Sequence, residues 1–435
     1  MKGLFIFGFG VTGKGVLKFC QERGIKAFIY DDRKENVPSE FFTDYTNFDF
    51  TLVDFVILTP GISLSHELIL KAKSVGIETI SDLELFKKFA PQGLKIIGIT
   101  GSNGKSTTVS LLTHILKNLG KKVFLSGNIG ISPLTTEAFE SEYCVMEVSS
   151  YQLEITDFTF DASAILNITP DHIEHHGSFE NYKKAKVKIL QNSPFSLTSA
   201  DCQEASSINS TTQFSVKKIL QNGFSLVKNK FYENGLLVAP IPEFENLKGE
   251  HNLENILCCL AITFKFCNLE LSSILTAIQS FKGLPHRIEF MSEIEGVKFI
   301  NDSKATNANS TLTALKTFQK NNVFLIAGGR QKEEGIEALL ELKEFNCVQE
   351  VLLIGEASGN FAKQIIEHNK KFPDRYLRYS IAGTLEKAVH SAFISAKKGK
   401  NNVVLLSPLC ASFDQFKNFE ERGVSFKNYV SLLKK

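Results

Sequence analysis

No stretch of the 435-residue chain is apolar over anything near the roughly 20 residues that a membrane helix needs. None of the eight cysteines (20, 144, 202, 258, 259, 267, 347 and 410) forms a CxxC pair. Disulfide frameworks belong to short secreted chains, so these read as reduced thiols, mostly in the core. No run of five or six like charges occurs, and 49 Lys and Arg against 47 Asp and Glu leave a net charge of only +2. That balance excludes an electrostatic grip on nucleic acid, which needs a basic stripe. The opening Met1-Lys2 and Leu4-Phe5-Ile6-Phe7 faintly mimic a secretion signal. Gly8, Gly10, Thr12, Gly13 and Lys14 interrupt it, however, and no small-residue cleavage site follows. The expectation is a cytoplasmic protein with small-molecule partners, without nucleic acid or membrane, and a monomer by default.

What is present is an ordinary globular composition, 43% hydrophobic and 22% charged, long enough for two to four domains. Strand and helix patterns alternate from Leu4–Phe7, through a helix carrying Val16, Leu17 and Cys20 and ending at Gly24, to strands at Ala27–Tyr30 and Phe55–Leu58. Such alternation predicts a parallel sheet covered by helices. After a linker at Pro91-Gln92-Gly93, a second strand–loop–helix unit starts at Leu94, with strands at Val123–Leu125, Tyr143–Val148 and Ala162–Ile168. The Ser/Thr-rich stretch Asn192–Phe214 resists assignment. Asn222-Gly223 and Asn234-Gly235 each lie between apolar runs and read as tight hairpins of a small antiparallel sheet, followed by a helix around Leu253–Phe266. Near Leu284-Pro285 a third α/β unit begins, with strands at Val297–Ile300, Val323–Ala327, Val351–Ile354 and Val403–Leu406. The fold expected is α/β in three domains. Residues 1–92 and 285–435 are each Rossmann-like, and residues 93–284 carry a phosphate loop on a parallel sheet plus a small antiparallel sheet.

The clearest chemical signal is Gly101-Ser102-Asn103-Gly104-Lys105-Ser106-Thr107, between a strand and an amphipathic helix. Bare backbone N–H groups and the positive helix end bind phosphate there, Lys105 adds charge for the β- and γ-phosphates, and Ser106 offers a hydroxyl to magnesium. The strict GxxxxGK[ST] pattern needs glycine at 99, where the chain has Ile99. Gly8-Phe9-Gly10-Val11-Thr12-Gly13 matches GxGxxG, with Asp31 and Asp32 following a second strand about 20 residues on. It fits an NAD site, another nucleotide at the same helix end, or glycines that only let helix pack on strand. Glu147, in MEVSSYQLE, and Asp171-His172, in LNITPDHIEHHGS, end strands beside the phosphate loop and are placed to hold magnesium. His172, His175 and His176 read as a polar loop rather than a zinc site, since Gly177-Ser178 breaks any helix there.

Taken together, these motifs resemble the Mur ligase family over essentially the whole length. The resemblance rests on GFGVTG (Gly8–Gly13), TPGI (Thr59–Ile62), GITGSNGKST (Gly98–Thr107), GNIG (127–130), EVSSYQLE (Glu147–Glu154), NITPDH (Asn167–His172), YKKAK (Tyr182–Lys186), GEHNLEN (Gly249–Asn255), LPHRIE (Leu284–Glu289), NDSKATN (Asn301–Asn307) and SPLCASFDQFKNFEERG (Ser407–Gly423). The family loop resembles GxTGTNGK[ST]T, which accounts for Ile99. NDSKATN and SPLCASFDQF are similar to the member that adds D-glutamate to UDP-N-acetylmuramoyl-L-alanine. Siblings carry D-Y-A-H-type or D-x-Y-N-A-N-P-type motifs, and no DNPR motif occurs. The alternative is another ATP-dependent amide ligase of this architecture, a sibling or a folylpolyglutamate synthase. GFGVTG disfavours the latter, which begins directly with the ATP loop. A nucleotide sensor or an NAD oxidoreductase would not need Glu147, His172 and NDSKATN together.

The resemblance implies ATP as co-substrate, an acyl phosphate intermediate and two magnesium ions. Lys105 is then expected to neutralise phosphate, Ser106 and Glu147 to hold one magnesium, and His172 to hold the second with Lys186 carried as an N-carbamate. Asn252, Arg287 and Asp302 match adenine and ribose contacts. Val11, Thr12, Asp31, Asp32, Arg33, Gly61, Asn128, Ser149 and Gln152 match the UDP-substrate side. Lys304, Thr306, Lys332, Ser412, Phe413 and Phe419 match positions near D-glutamate or the reacting phosphate. Asp32 stands where many relatives have Thr. Gly329-Arg330-Gln331-Lys332 departs from G-G-D-G-K, which makes Arg330 a further candidate for a carboxylate or phosphate.

Overall fold

The computed structural model describes the chain except residues 129–130, 245–246, 248, 332–334 and 434–435. It divides into two compact units, residues 1–281 and 282–435. The first unit holds two sheets. Four parallel strands, β1 (Gly3–Phe7), β2 (Lys26–Tyr30), β3 (Phe55–Leu58) and β4 (Glu78–Ser81), lie in the order β2-β1-β3-β4. The glycine turn after β1 opens the helix Val11–Arg23, which stops at Gly24 with φ 65°. Val16, Leu17, Phe19 and Cys20 on that helix are buried. One apolar core runs continuously from Leu4, Phe19 and Phe86 to Met146, Phe160 and Ile168, so the expected boundary at residue 92 falls inside this first unit.

The second sheet has nine strands: β5 (Lys95–Thr100), β6 (Val123–Gly127), β7 (Tyr143–Glu147), β8 (Ala162–Ile165), β9 (Phe195–Ser199), β10 (Thr212–Ser215), β11 (Phe224–Val227), β12 (Lys230–Glu233) and β13 (Leu236–Pro240). Their order is β13-β12-β11-β10-β9-β8-β5-β7-β6. The strands from β6 across to β11 are parallel, and the pairing is antiparallel only between β11 and β12 and between β12 and β13. The antiparallel strands therefore extend the parallel sheet rather than forming a separate one.

Asn234-Gly235 turns between β12 and β13, with φ of 51° and 80° as a type I′ turn requires. Asn222-Gly223 does not make the second hairpin, because β10 and β11 are parallel. Gly223 is needed there for another reason: a Cβ would lie 2.2 Å from the Gln213 carbonyl oxygen. The second hairpin turns instead at Lys228-Asn229, with φ of 49° and 55°. The Ser/Thr-rich segment proves to be β9 and β10 with a short helix, Gln203–Ser206, between them. Its hydroxyls cross-bond, as in Thr198 with Ser210 at 2.8 Å.

The second unit is a single six-stranded sheet of β14 (Glu289–Ile294), β15 (Val297–Asn301), β16 (Asn322–Gly328), β17 (Val348–Ile354), β18 (Arg378–Gly383) and β19 (Asn402–Leu406). The order is β14-β15-β19-β16-β17-β18, antiparallel only between β14 and β15. Because β19 inserts between β15 and β16, the loops after those three strands meet at one edge of the unit. A crevice at such a topological switch is where α/β sheets bind ligands.

Candidate active site

In the nine-stranded sheet, β5 leads by its helix to the far edge strand β6, while β8 lies on the other side of β5. The C-terminal ends of β5, β7 and β8 thus surround a switch point. The loop Gly101–Gly104 sits there and feeds the helix Lys105–Asn118, which buries Val109, Leu112, Ile115 and Leu116. Gly104 caps the helix with φ 85°.

A Cβ on Gly104 would lie 2.5 Å from Asn255 Oδ1, itself the acceptor of Thr108 Oγ1 at 3.0 Å. Left-handed backbone also costs a non-glycine residue about 1–2 kcal/mol. Gly104→Ala is therefore expected to distort the loop and weaken ATP binding by about tenfold. Calorimetry with a non-hydrolysable ATP analogue checks this, and an unchanged Kd would contradict it.

Two residues of NITPDH hold the loop in shape. The Asn103 N–H donates to Asn167 Oδ1 at 2.8 Å, and Asn167 Nδ2 donates back to the Asn103 carbonyl at 3.1 Å. Ser102 Oγ meets the Thr169 backbone and the Tyr182 hydroxyl, each at 2.9 Å. Lys105 Nζ folds back onto the carbonyls of Gly101 (2.6 Å) and Ser102 (2.9 Å). Ser106 and Thr107, the first residues after it, are buried.

Behind the loop stand two buried ionisable side chains. Lys186, on the helix Phe179–Val187, is only 2% exposed. Its Nζ donates to the Gly101 carbonyl at 2.9 Å and lies 4.8 Å from the centre of the Tyr182 ring. Burial, reinforced by the charge of Lys105, pulls its pKa down to about 7, against the opposing pull of Asp171 and Glu147. Much of this amine is consequently neutral near neutral pH.

Glu147 ends β7 at 3% exposure. Its Oε1 accepts from Asn128 Nδ2 at 3.0 Å, while its buried Oε2 has no hydrogen-bond partner among the described residues. An unsatisfied buried carboxylate oxygen is costly and calls for a cation or a donor. The donor set of Glu147 and the Ser106 hydroxyl suits magnesium, a hard ion that takes oxygen ligands.

His172 is half exposed on a left-handed residue, φ 53°. Its ring meets the Tyr151 hydroxyl at 3.4 Å and Asp171 at 3.5 Å, rather than Glu147 or Lys186. The neighbouring histidines have other partners: His175 Nε2 meets Glu154 Oε2 at 2.7 Å, and His176 Nε2 meets Ser150 Oγ at 3.0 Å. Contrary to the expected loop, Ile173–His176 forms one helical turn that Gly177 closes with φ 73°.

Several residues expected on the UDP side are also committed structurally. Asp31 accepts the Phe9 N–H at 2.7 Å and the Arg33 N–H at 2.9 Å, pinning the glycine turn to the end of β2. Ser149 and Gln152 form the capping box of the helix Ser150–Ile155. Asn128 serves Glu147. Val11, Asp32, Arg33 and Gly61 are exposed on the same unit, and Thr12 is partly buried. Asn252 lies in the first turn of the helix Glu250–Ala261, one turn before Asn255, which contacts the phosphate-loop helix.

In the second unit, Asp302 follows β15 and is buried, accepting the Ile288 N–H at 3.2 Å and Ser407 Oγ at 2.8 Å. Burial raises its pKa from 3.8 to about 7, against the lowering effects of these hydrogen bonds and of Arg287 and Arg422. Between those values the folded chain keeps a proton that the unfolded chain has released, so stability falls as pH rises through this window. Asp302→Asn removes that loss, and its melting temperature relative to the natural chain is expected to climb from pH 5 to about pH 7 and to level off above it. A constant difference across that range would contradict the assignment.

Lys304 Nζ lies 4.6 Å from the centre of the Phe419 ring. Thr306 is partly buried, Ser412 is buried, Phe413 is exposed, and Lys332 lies outside the described residues. Arg330 is exposed and forks onto Glu356 at 3.0 and 3.2 Å. Asn167, Tyr182 and Asn255 carry much of the loop's geometry but went unremarked in the sequence beyond their presence in motifs.

Family models match along the chain: "Mur ligase MurD-like, N-terminal domain" over residues 2–81, "Mur ligase middle domain" over 99–263, and "Mur ligase, glutamate ligase domain" over 286–410. A UDP-N-acetylmuramoylalanine–D-glutamate ligase of Caldanaerobacter subterraneus subsp. tengcongensis is 35% identical, with 100% of this chain and 99% of that protein covered. The chain belongs to the Mur ligase family. A ligase of the same name from Rickettsia prowazekii is 36% identical, over 97% of this chain and 96% of the relative. Among solved structures, the UDP-N-acetylmuramate-alanine ligase MurC of Thermotoga maritima matches with a TM-score of 0.63 at 19% identity, covering 99% of each chain. A pseudomurein peptide ligase type C from Methanothermus fervidus gives 0.59 at 18%, covering 100% of each. At those identities the likeness is one of Mur ligase fold. Among the described residues no helix is long and apolar enough to cross a membrane.

Proposed function

We propose that this Mur ligase joins D-glutamate to UDP-N-acetylmuramoyl-L-alanine at the expense of ATP, as a monomeric cytoplasmic enzyme of peptidoglycan precursor synthesis. The observation that carries the chemistry is the stacking of a phosphate loop over two buried ionisable groups, with Lys186 Nζ 2.9 Å from the Gly101 carbonyl. The choice of D-glutamate follows the full-length relatives and the NDSKATN segment.

In this reading the N–H groups of Gly104 to Thr107, at the helix end, cradle the β- and γ-phosphates, and Lys105 swings from the loop carbonyls to neutralise them. Ser106 and Glu147 would hold one magnesium, and His172 with a carbamylated Lys186 a second. Bound there, the ions would offset the charge that builds up during phosphoryl transfer. The neutral amine of Lys186 is competent to attack carbon dioxide: its lone pair bonds the carbon, nitrogen loses one proton to solvent, and a buried neutral group becomes an anion. Asn128 holds the Glu147 carboxylate in its orientation throughout. Asn252, Arg287 and Asp302 are assigned to the nucleoside. Lys304, Thr306, Ser412, Phe413 and Phe419 are assigned to D-glutamate, and the exposed residues near the glycine turn to the UDP moiety.

The substrate carboxylate attacks the γ-phosphorus and displaces ADP, the D-glutamate amine then adds to the acyl carbon and gives up a proton, and collapse of the tetrahedral species expels inorganic phosphate. One carboxylate oxygen therefore leaves with phosphate. With UDP-N-acetylmuramoyl-L-alanine carrying oxygen-18 in that carboxylate, mass spectrometry of the phosphate is expected to find one labelled oxygen per turnover. Unlabelled phosphate would overturn the acyl phosphate route.

A further inference from the structure

Among the described residues, Arg422 is the largest fully buried side chain of the second unit, at 1% exposure, although it carries a charge. It lies in the first turns of the helix Phe419–Leu432, whose Asn418 cap accepts the Glu421 N–H at 2.8 Å. Its guanidinium faces backbone rather than a carboxylate. Nε donates to Ser303 Oγ at 3.0 Å, one terminal nitrogen to the Ser303 carbonyl at 2.8 Å, and both terminal nitrogens to the Cys410 carbonyl at 3.1 Å. The Ser303 hydroxyl in turn donates a hydrogen bond to the Phe419 carbonyl at 2.8 Å. The next residue completes the junction. The Gly423 carbonyl accepts Asn301 Nδ2 at 3.1 Å, and a Cβ on Gly423 would lie 2.1 Å from His286 Nδ1.

One buried fork thus fixes three separate segments: Ser303, next to Lys304; Cys410, two residues before Ser412; and Phe419, over which Lys304 lies. We infer that Arg422 is a positioning residue that sets the D-glutamate pocket by holding these segments in register. The inference rests on the assignment of Lys304, Ser412 and Phe419 to D-glutamate. The guanidinium makes four hydrogen bonds from three nitrogens of a planar fork, whereas an ammonium has three donors on a single atom. Buried hydrogen bonds to a charged group are also the strong ones.

The test compares Arg422→Lys and Arg422→Met with the natural enzyme in steady-state kinetics, varying each substrate in turn. It also follows hydrogen exchange over residues 302–306 and 407–413. Expected for Arg422→Lys is a KM for D-glutamate raised about tenfold or more, with those for ATP and the UDP substrate within about twofold, and faster exchange in both segments. Arg422→Met is expected to be worse on D-glutamate, so that lysine gives partial rescue. Should Arg422 variants fail to fold, Ser303→Ala removes the Nε acceptor and is expected to raise the same KM more mildly. Equal rises in all three KM values, or unchanged exchange in folded Arg422→Lys, would overturn the inference. A natural enzyme inactive with D-glutamate would instead remove the substrate assignment, and the exchange comparison would still show whether Arg422 holds the two segments.

Discussion

Lys186→Ala is expected to lower turnover by about a hundredfold or more, and short carboxylates such as formate or acetate are expected to restore part of it. The size follows from removing a preorganised charge next to the transferred phosphoryl group, a loss of typically about 10²–10³. The restoring agent follows from what the lysine is taken to become. At 2% exposure, its removal leaves an enclosed space behind the Gly101 carbonyl. If the working species is the carbamate, an anion of similar shape refills that space. If the working species is the ammonium, small amines would restore activity and carboxylates would not. With a pKa near 7 the amine is substantially neutral at pH 7.5 and available to carbon dioxide. Activity of the natural enzyme is accordingly expected to drop in buffers stripped of carbon dioxide and to return on adding bicarbonate.

Glu147→Gln separates function from stability. Glu147 Oε1 already has Asn128 as donor, and a glutamine oxygen can accept the same hydrogen bond. Oε2 is buried with no hydrogen-bond partner among the described residues, so without a cation beside it the charge is a liability that the neutral amide relieves. The variant is expected to melt at the same temperature as the natural enzyme or higher, while kcat/KM falls by about 10²–10³ and the magnesium requirement moves to higher concentration. A loss of stability together with activity would indicate that the carboxylate serves the fold. Unchanged activity would remove it from the magnesium site.

Much of this was legible in the sequence because local rules and global fold agree at the phosphate loop. Strand, glycines, Lys105-Ser106 and an amphipathic helix each point the same way, and Gly104 takes the left-handed backbone that its neighbour Asn255 enforces. The hairpins were less legible. Asn222-Gly223 and Asn234-Gly235 look alike in sequence, yet only the second turns a hairpin, because the first joins strands paired in parallel. Pairing direction is a long-range property that no dipeptide encodes. Lys228-Asn229, which does turn the chain, lacks the glycine that would announce it. The departure at Arg330 gave no hint of Glu356, 26 residues away in sequence, which pairs with its guanidinium. The same limit hid Arg422: its partners lie 119 and 12 residues distant and are mostly backbone carbonyls, which leave no mark on composition or spacing.

The most direct test of the central claim is phosphate release from ATP with UDP-N-acetylmuramoyl-L-alanine and one amino acid at a time. The account predicts release coupled one to one with amide product for D-glutamate, and only background release without an amino acid or with L-glutamate, L-alanine or meso-diaminopimelate. Equal release with L-glutamate, or with no amino acid at all, would contradict it.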